Sequence, residues 1–590
     1  MAMGCLLAVC FCGVPAVARP TFTAVGTQGM VASDSEFASR AGCEVLKAGG
    51  NAVDAAVATS LALCVARPFS TGLGGGGFMM VRLGDTGDVY VLDYRECAPA
   101  AATPDMYVKA RAASPDGPPA SQYGGLAAGV PGLPAGLQAA LERFGSRPLG
   151  ELIEPARRLA AEGFPVDRSY LAAAKDLREE VARYPGLRKI AAGTQRTFLV
   201  GREDPRRRAG MPAPQATPPT LPGNREDLAE GMIVRQPELA AALELIGRQG
   251  VDEFYRGRIA KAIVEAVRAA GGIMTVEDLA GYKPVWREAL RTRYRDRYEV
   301  LLMPPPSSGG VAIAETLNIL EHWDLAAIHQ RDVGLAAHLT VEAVKHAFAD
   351  RARYLGDADF ARVPIARLTD KDHAARLAAR IREAAVSAVD AYGSAPRDDA
   401  GTTHFCVADR RGNVVSVTET INTEWGCLVM AEPWGIVLNN EMDDFDVEPG
   451  KPNAYNLLQS TANAVGPGKR PLSSMSPTIV LADGKPVLVV GASGGPRIIS
   501  GTLQVLVNVL DYGLGLDEAV ARPRFHHQWQ PNEVYRNDYA ADDPVVVGLR
   551  DRGHKISRRR LGAIVLALRI EPGRFTGASD PRKGGRPAGY

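Results

Sequence analysis

Two hydrophobic periods alternate along this chain, and their order divides it. From Glu36 to Lys47 apolar positions recur at helical spacing, and Gly49-Gly50 stops the pattern. Asn51 can cap the next helix, Ala52 to about Val65. That helix is apolar almost all round, so it belongs inside a core. "FMMVRL" and "VYVLDY" read as strands joined by a hairpin over Gly84–Gly87. Helical patterns dominate from Leu137 to about Arg183, where Pro185-Gly186 closes the block, and resume from Gln236 to about Ala270. Between them residues 202–224, rich in Pro, Arg and Gly, read as an exposed loop. "TRYRDRYEVLLMPPPSSGG" reads as a strand, a proline stop and a glycine-rich turn ahead of a helix from about Val311. A last helical block spans Val333 to Ala391.

The character changes at Thr402. "DAYGSAPRDDAG" is a polar, turn-rich linker, and after it come short β-rich segments: "THFCVAD", "NVVSVTET", "GIVLNNE", "PTIVLA" and "KPVLVVGAS". "RRGN" joins the first two as a hairpin turn, and the helix "IISGTLQVLVNVLDYG" follows "GASGGPR". No internal repeat is visible. A helix-rich α/β segment followed by a strand-rich one suits two stacked sheets covered by helices.

Composition narrows the classes. Of 590 residues, 46% are hydrophobic and 23% charged, ordinary for a soluble globular protein. A net charge of +1 leaves no electrostatic footprint for nucleic acid or an anionic membrane. The first eighteen residues, "MAMGCLLAVCFCGVPAVA", carry no charge and end in an A-x-A signal before Arg19, which reads as a secretory signal peptide. No Lys or Arg precedes the apolar run, which leaves a mis-set or truncated start open, and Cys10 is a weak candidate for lipid attachment. Without that leader five cysteines remain: Cys43, Cys64, Cys97, Cys406 and Cys427. Their number is odd and their spacing fits no zinc pattern, so buried free thiols are expected.

"RDDAGTTHFCVAD" holds the candidate chemistry. A glycine before a strand is ordinary turn punctuation, or else the Gly401–Thr402 bond is meant to be broken. Cleavage there would give Thr402 a hydroxyl nucleophile and a free α-amine, which titrates near pH 7.7–8 and can act as its own general base. Gly401 has no side chain to keep that hydroxyl from its carbonyl, so the same group could cut the chain by an N-to-O acyl shift. His404, two residues on, shares the strand face and is the rival base. Gly494 and Gly495, between a strand and a helix, can aim backbone N–H groups at an anion, or simply make a tight turn. "NNEMDDF" gathers Glu441, Asp443 and Asp444, which suit an ammonium, a metal or a solvated turn. Ser473 and Ser474 in "RPLSSMSPT" offer hydroxyl donors, and Arg95 in "DYRECAP" could pair with a carboxylate. The tetraglycine Gly74–Gly77 lacks the Lys-Ser/Thr ending of a phosphate loop. The nine histidines show no HExxH spacing, and the adjacent His526 and His527 would point to opposite faces of a strand.

"GTTHFCVADRRGNVVSVTETINTEWG", "NNEMDDF", "GPGKRPLSSMSPTIV", "GASGGPRII" and "RPRFHHQW" resemble the γ-glutamyltransferases (γ-glutamyl transpeptidases) of the N-terminal-nucleophile hydrolase class. "GGNAVDAAVA", "GLGGGGFM", "DYRECAP" and "MPPPSSGG" are similar to that family's larger segment, so the likeness spans nearly the whole mature chain. The resemblance implies a four-layer αββα sandwich, cut into residues 19–401 and 402–590 that stay together as a heterodimer. It implies a nucleophile at Thr402, supported by Thr420, and an oxyanion hole at Gly494 and Gly495. It implies that Arg95, Ser473 and Ser474 hold the substrate α-carboxylate and that Asn422, Glu441 and Asp444 hold its α-amine. "EPGKPNAYN" resembles the lid loop, with Tyr455 at the gate. The implied substrates are glutathione and other γ-glutamyl compounds, with water, amino acids or dipeptides as acceptors, no cofactor, and a periplasmic or secreted location. "SRRRLGAIVLALRIEPG" departs from the family's tail, which puts packing there in question. A cephalosporin acylase of the same superfamily is the alternative enzyme, and a neutral residue at position 444 would have favoured it. A non-catalytic binder of γ-glutamyl peptides is the alternative of another class.

Overall fold

The computed structural model describes residues 22–200, 228–387 and 401–590 except Pro449, Pro452, Tyr455, Asn456, Asn537, Arg560 and Leu561. The leader, the loop 202–224, the linker ahead of Gly401 and the gate residue Tyr455 lie outside the described residues.

Two seven-stranded sheets stack at the centre. The first runs Thr23–Gly26, Arg574–Ser579, Ile564–Glu571, Lys485–Ser493, Thr478–Ala482, Tyr298–Leu302, Leu290–Tyr294. The second runs Ala588–Gly589, Gly29–Ser33, Thr403–Asp409, Val414–Thr420, Gly76–Arg82, Val89–Tyr94, Val285–Arg287. The strand that opens just after Thr402 therefore sits near the middle of its sheet, buried at every residue.

The two-residue period sorts its side chains into two cores. Phe405, Val407, Val415 and Val417 pack with the helices Glu36–Lys47 and Ala52–Ala66. Cys406 and Ala408 face the other sheet and meet Val490, Ala492, Val565 and Ala567. Beyond that sheet lie the helices Gly309–Leu320, Val333–Tyr354 and Arg497–Leu510, which complete an αββα sandwich.

Local chemistry explains the key elements. Ala52–Ala66 is buried along its whole length, and Asn51 and Asp54 close a reciprocal capping box at its start. The segment from Thr292, expected as a single strand, belongs to a hairpin: Tyr294 pairs with Tyr298 across a three-residue turn in which Arg295 and Asp296 take positive φ (54° and 50°). "GIVLNNE" contributes only the two-residue strand Ile436–Val437, because Glu441–Asp444 winds into a 3-10 turn. The helical block after Val333 breaks after Tyr354 into the short pieces Ile365–Leu368 and Lys371–Ala378. In the divergent tail, Ile564–Glu571 lies inside the first sheet between Lys485–Ser493 and Arg574–Ser579, with Val565, Ala567 and Leu568 buried. All five cysteines beyond the leader are free, four of them buried. Among the described residues no helix is long and apolar enough to cross a membrane.

Candidate active site

The register of one hairpin places the nucleophile candidate. Thr403 pairs with Glu419 and His404 with Thr418, so Thr402 falls opposite Thr420 on the face between the sheets. The chain is continuous through Gly401–Thr402. The Thr402 hydroxyl bonds the Gly401 carbonyl oxygen and lies 3.1 Å from Thr420 Oγ1. The Asn422 N–H donates to Thr420 Oγ1 at 2.8 Å, which leaves the Thr420 proton free to donate to the Gly401 carbonyl at 2.9 Å. One hydroxyl thus polarises the carbonyl beside which the other sits.

The glycine at 401 has a reason the sequence did not reveal. A Cβ there would lie 2.4 Å from the Asn422 oxygen and 2.6 Å from the Glu424 nitrogen, so the loop that orients Thr420 leaves room only for hydrogen. Asn422 itself takes a positive φ of 73°, uncommon for any residue but glycine, and its side-chain amide donates to the Asn440 carbonyl at 2.9 Å.

A narrow cleft opens on Thr402 and is lined by Arg95, Thr420, Asn422, Glu441, Asp444, Ser473, Ser474 and Gly495, with Met475 and Ile498. Gly494 lies next to it. Both glycines have positive φ, 119° and 58°, and neither N–H finds an acceptor among the described residues. Their carbonyls accept from Arg497 and Ile498, which ties the turn to the helix Arg497–Leu510.

The charged groups face one another across the cleft. Arg95, 1% exposed, bonds Glu441, donates to Asp444 Oδ2 at 2.6 Å, and donates through Nε to the Pro471 carbonyl at 3.1 Å. A guanidinium has five N–H donors, so two remain. Burial opposes the Arg95 charge, but Glu441, Asp444 and Glu96 outweigh it and hold its pKa above the ordinary value. The three carboxyls respond to the same burial: Glu96 is pushed up to about 7, and Glu441 and Asp444 are raised. Glu441 Oε2 is buried with no hydrogen-bond donor among the described residues, an acceptor suited to an N–H group. Asp443 turns away from the cleft: it accepts from Ser121 Oγ at 2.5 Å and from the Ala454 N–H at 2.8 Å. Ser473 Oγ accepts from the Met475 N–H at 3.0 Å and keeps its own proton to donate.

His404 lies under the nucleophile without touching it. Its ring nitrogens meet Thr418 Oγ1 at 2.8 Å and Cys406 Sγ at 3.2 Å, and burial lowers its pKa to about 3. His526 and His527 are both buried and bonded elsewhere, to Ser500 and Gln528 and to Asn532.

Two groups escaped the sequence reading. Lys583 Nζ donates to the Thr402 carbonyl at 3.0 Å, to Ser70 Oγ at 3.1 Å, and pairs with Asp34 Oδ2 at 2.7 Å, while Asp34 Oδ1 accepts from Thr403 Oγ1 at 2.9 Å. Arg351 Nε donates to Ser308 Oγ at 2.9 Å, and Ser308 Oγ donates to the Ser473 carbonyl at 2.6 Å. Lone basic residues far apart in sequence carry no spacing that announces either role.

A buried threonine at the head of a central strand, with its hydroxyl on the preceding carbonyl and two stacked sheets behind it, defines an N-terminal-nucleophile hydrolase. The family model described as gamma-glutamyltranspeptidase matches residues 38–590. A glutathione hydrolase proenzyme of Escherichia coli (strain K12) is 42% identical over 559 residues, covering 94% of this chain and 90% of that one. One from Pseudomonas sp. (strain A14) is 41% identical, covering 94% and 93%. The crystal structure of cephalosporin acylase from Bacillus halodurans superposes with a TM-score of 0.80 at 27% identity, covering 99% of each chain. The chain belongs to the gamma-glutamyltranspeptidase family.

Replacing Lys583 with Met keeps the length of the side chain and removes its charge, leaving Asp34 buried and unpaired. The expected cost is about 3–5 kcal/mol of stability, with slower cleavage at Gly401–Thr402 because the Thr402 carbonyl loses its anchor. Thermal unfolding and a timed denaturing gel measure both, and wild-type behaviour in both would remove Lys583 from this role.

Proposed function

We propose that this protein is a self-processing γ-glutamyltransferase that also hydrolyses glutathione. The observation that carries this reading is the Thr402 hydroxyl seated on the Gly401 carbonyl and beside Thr420. Attack of Thr402 Oγ1 on the Gly401 carbonyl carbon moves the acyl group from nitrogen to oxygen and frees the α-amine. Water then hydrolyses the ester, leaving residues 19–401 with a carboxylate at Gly401 and residues 402–590 with Thr402 at their head. The two chains remain together as a heterodimer.

The same hydroxyl then acts on substrate. Arg95, with Ser473 and Ser474, takes the α-carboxylate of a γ-glutamyl group, and Asn422, Glu441 and Asp444 take its α-ammonium. The buried, unpartnered Glu441 Oε2 supports the second assignment. Thr402 Oγ1 attacks the γ-carbonyl, whose oxygen receives the Gly494 and Gly495 N–H groups. The Thr402 amine takes the hydroxyl proton and passes it to the leaving amine. Water, an amino acid or a dipeptide then releases the acyl group. The leader at residues 1–18 directs the protein to the periplasm or beyond. No cofactor enters this scheme.

Thr402→Ala has no hydroxyl for either reaction, so it is expected to run as one uncut chain without activity. A variant that still yields two chains would sink self-cleavage by Thr402.

Asp444 separates this reading from an acylase that accepts a side chain without an α-amine. Asp444→Asn is expected to lose about 2–5 kcal/mol of kcat/KM on γ-glutamyl-p-nitroanilide and little on the glutaryl analogue, which lacks the amine. Equal losses on both substrates would show that Asp444 does not read the amine.

The base is tested by pH. With its pKa near 3, His404 stays neutral from weakly acid to alkaline pH and titrates nowhere near a limb around neutrality. The Thr402 amine must be neutral to act, so the rate should rise with pH through its pKa, about 7.7–8 when unperturbed. His404→Asn is expected to keep that rise at a similar midpoint. A processed His404→Asn enzyme without it would transfer the base to His404.

A further inference from the structure

Three side chains unused by this chemistry converge in the helical layer outside the first sheet. Glu315 belongs to Gly309–Leu320, Asp350 to Val333–Tyr354, and His373 to the first turn of Lys371–Ala378. His373 Nε2 lies 3.2 Å from Asp350 Oδ2 and 3.8 Å from Glu315 Oε1, and one atom from each of the three lies within 4.8 Å of the others. Asp370 caps that helix by accepting from the His373 N–H at 2.9 Å, which fixes where the imidazole starts.

Glu315 makes the cluster more than a surface group. It is 1% exposed, and neither carboxylate oxygen has a hydrogen-bond partner among the described residues. A buried carboxylate without a donor is costly unless a cation or a proton meets it. Arg367 stacks over the Tyr354 ring at 4.4 Å and makes no ion pair with Glu315 among the described residues.

The spacing fits a metal. Zinc holds imidazole nitrogen and carboxylate oxygen at about 2.0–2.2 Å, which puts two tetrahedral ligands about 3.4 Å apart. The 3.2 Å hydrogen bond between His373 and Asp350 and the 3.8 Å separation of His373 from Glu315 bracket that value. His373 and Asp350 retain 14% and 21% side-chain exposure, which gives an ion a way in. A second trio, His338, Glu342 and His554, fails the same test. There Lys345 Nζ donates to Glu342 at 2.8 Å, so a cation's place is filled.

We propose that Glu315, Asp350 and His373 bind one divalent cation of the zinc type, with water completing the shell. The imidazole favours zinc over magnesium or calcium, which take oxygen ligands. The ion ties three helices of the outer layer together and has no part in the reaction at Thr402.

The test is calorimetric titration of the chelator-stripped full-length protein with zinc chloride, with magnesium chloride as the comparison. Wild type is expected to bind one zinc per chain and gain melting temperature, with no response to magnesium. Glu315→Gln and His373→Ala are each expected to lose that binding and that gain while hydrolysing γ-glutamyl-p-nitroanilide as wild type does. Zinc taken up by the free thiols would persist in both variants. The absence of saturable zinc binding in wild type overturns the proposal without recourse to any variant, as does binding that survives either substitution.

Discussion

The antiparallel register between Thr403–Asp409 and Val414–Thr420 is the constraint on which the site rests. A slip of one residue in Thr403–Asp409 would turn Thr402 towards the helices and bring Thr403 to the cleft, while Thr420 kept its face. The register is held because both strands are buried on both faces: Phe405 and Val407 fill one core, Cys406 and Ala408 the other. Glu419 contributes on the helical side, where Ser60 Oγ and Tyr94 Oη donate to its carboxylate. The hairpin thus carries a polar anchor behind it and the nucleophile in front.

Rigidity is divided unequally around the cleft. Thr402 sits on a sheet, while the groups proposed to read the substrate's charges sit on irregular backbone at Arg95, Asn422, Glu441–Asp444 and Ser473-Ser474. Those loops are held by buried amides. Asn439 donates to the carbonyls of Gly74 and Gly129, Asn440 reaches Gln122 and Thr423, and Asn463 donates to the Asp444 carbonyl at 2.7 Å. Arg95 pairs with Glu441 and Asp444, so the opposed buried charges in the cleft compensate one another.

Much of this was legible in the sequence because it is local. The capping Asn51, the hairpin turn at Gly412, the all-apolar helix and the glycine pair before Arg497 each announce themselves within a few residues. The order of strands within each sheet is set by contacts far apart in the chain and entered only through family likeness. The hairpin at Arg295-Asp296 was hidden because neither residue is a glycine or asparagine. Lys583 and Arg351 were hidden because their partners lie hundreds of positions or several elements away. Glu315, Asp350 and His373 share no motif, and three separate helices bring them together.

Each sheet combines strands from the two sides of Gly401. In the first, Arg574–Ser579 through Thr478–Ala482 lie between Thr23–Gly26 and Tyr298–Leu302. In the second, Gly29–Ser33 is flanked by Ala588–Gly589 and Thr403–Asp409. If the bond at Gly401 were cut, those seams would join two molecules. Folding, which the intact chain completes as a first-order event, could then be repeated only by a bimolecular search between fragments that each lack half a sheet. The mature protein would endure through the height of its unfolding barrier, with no ready route back once the barrier is crossed.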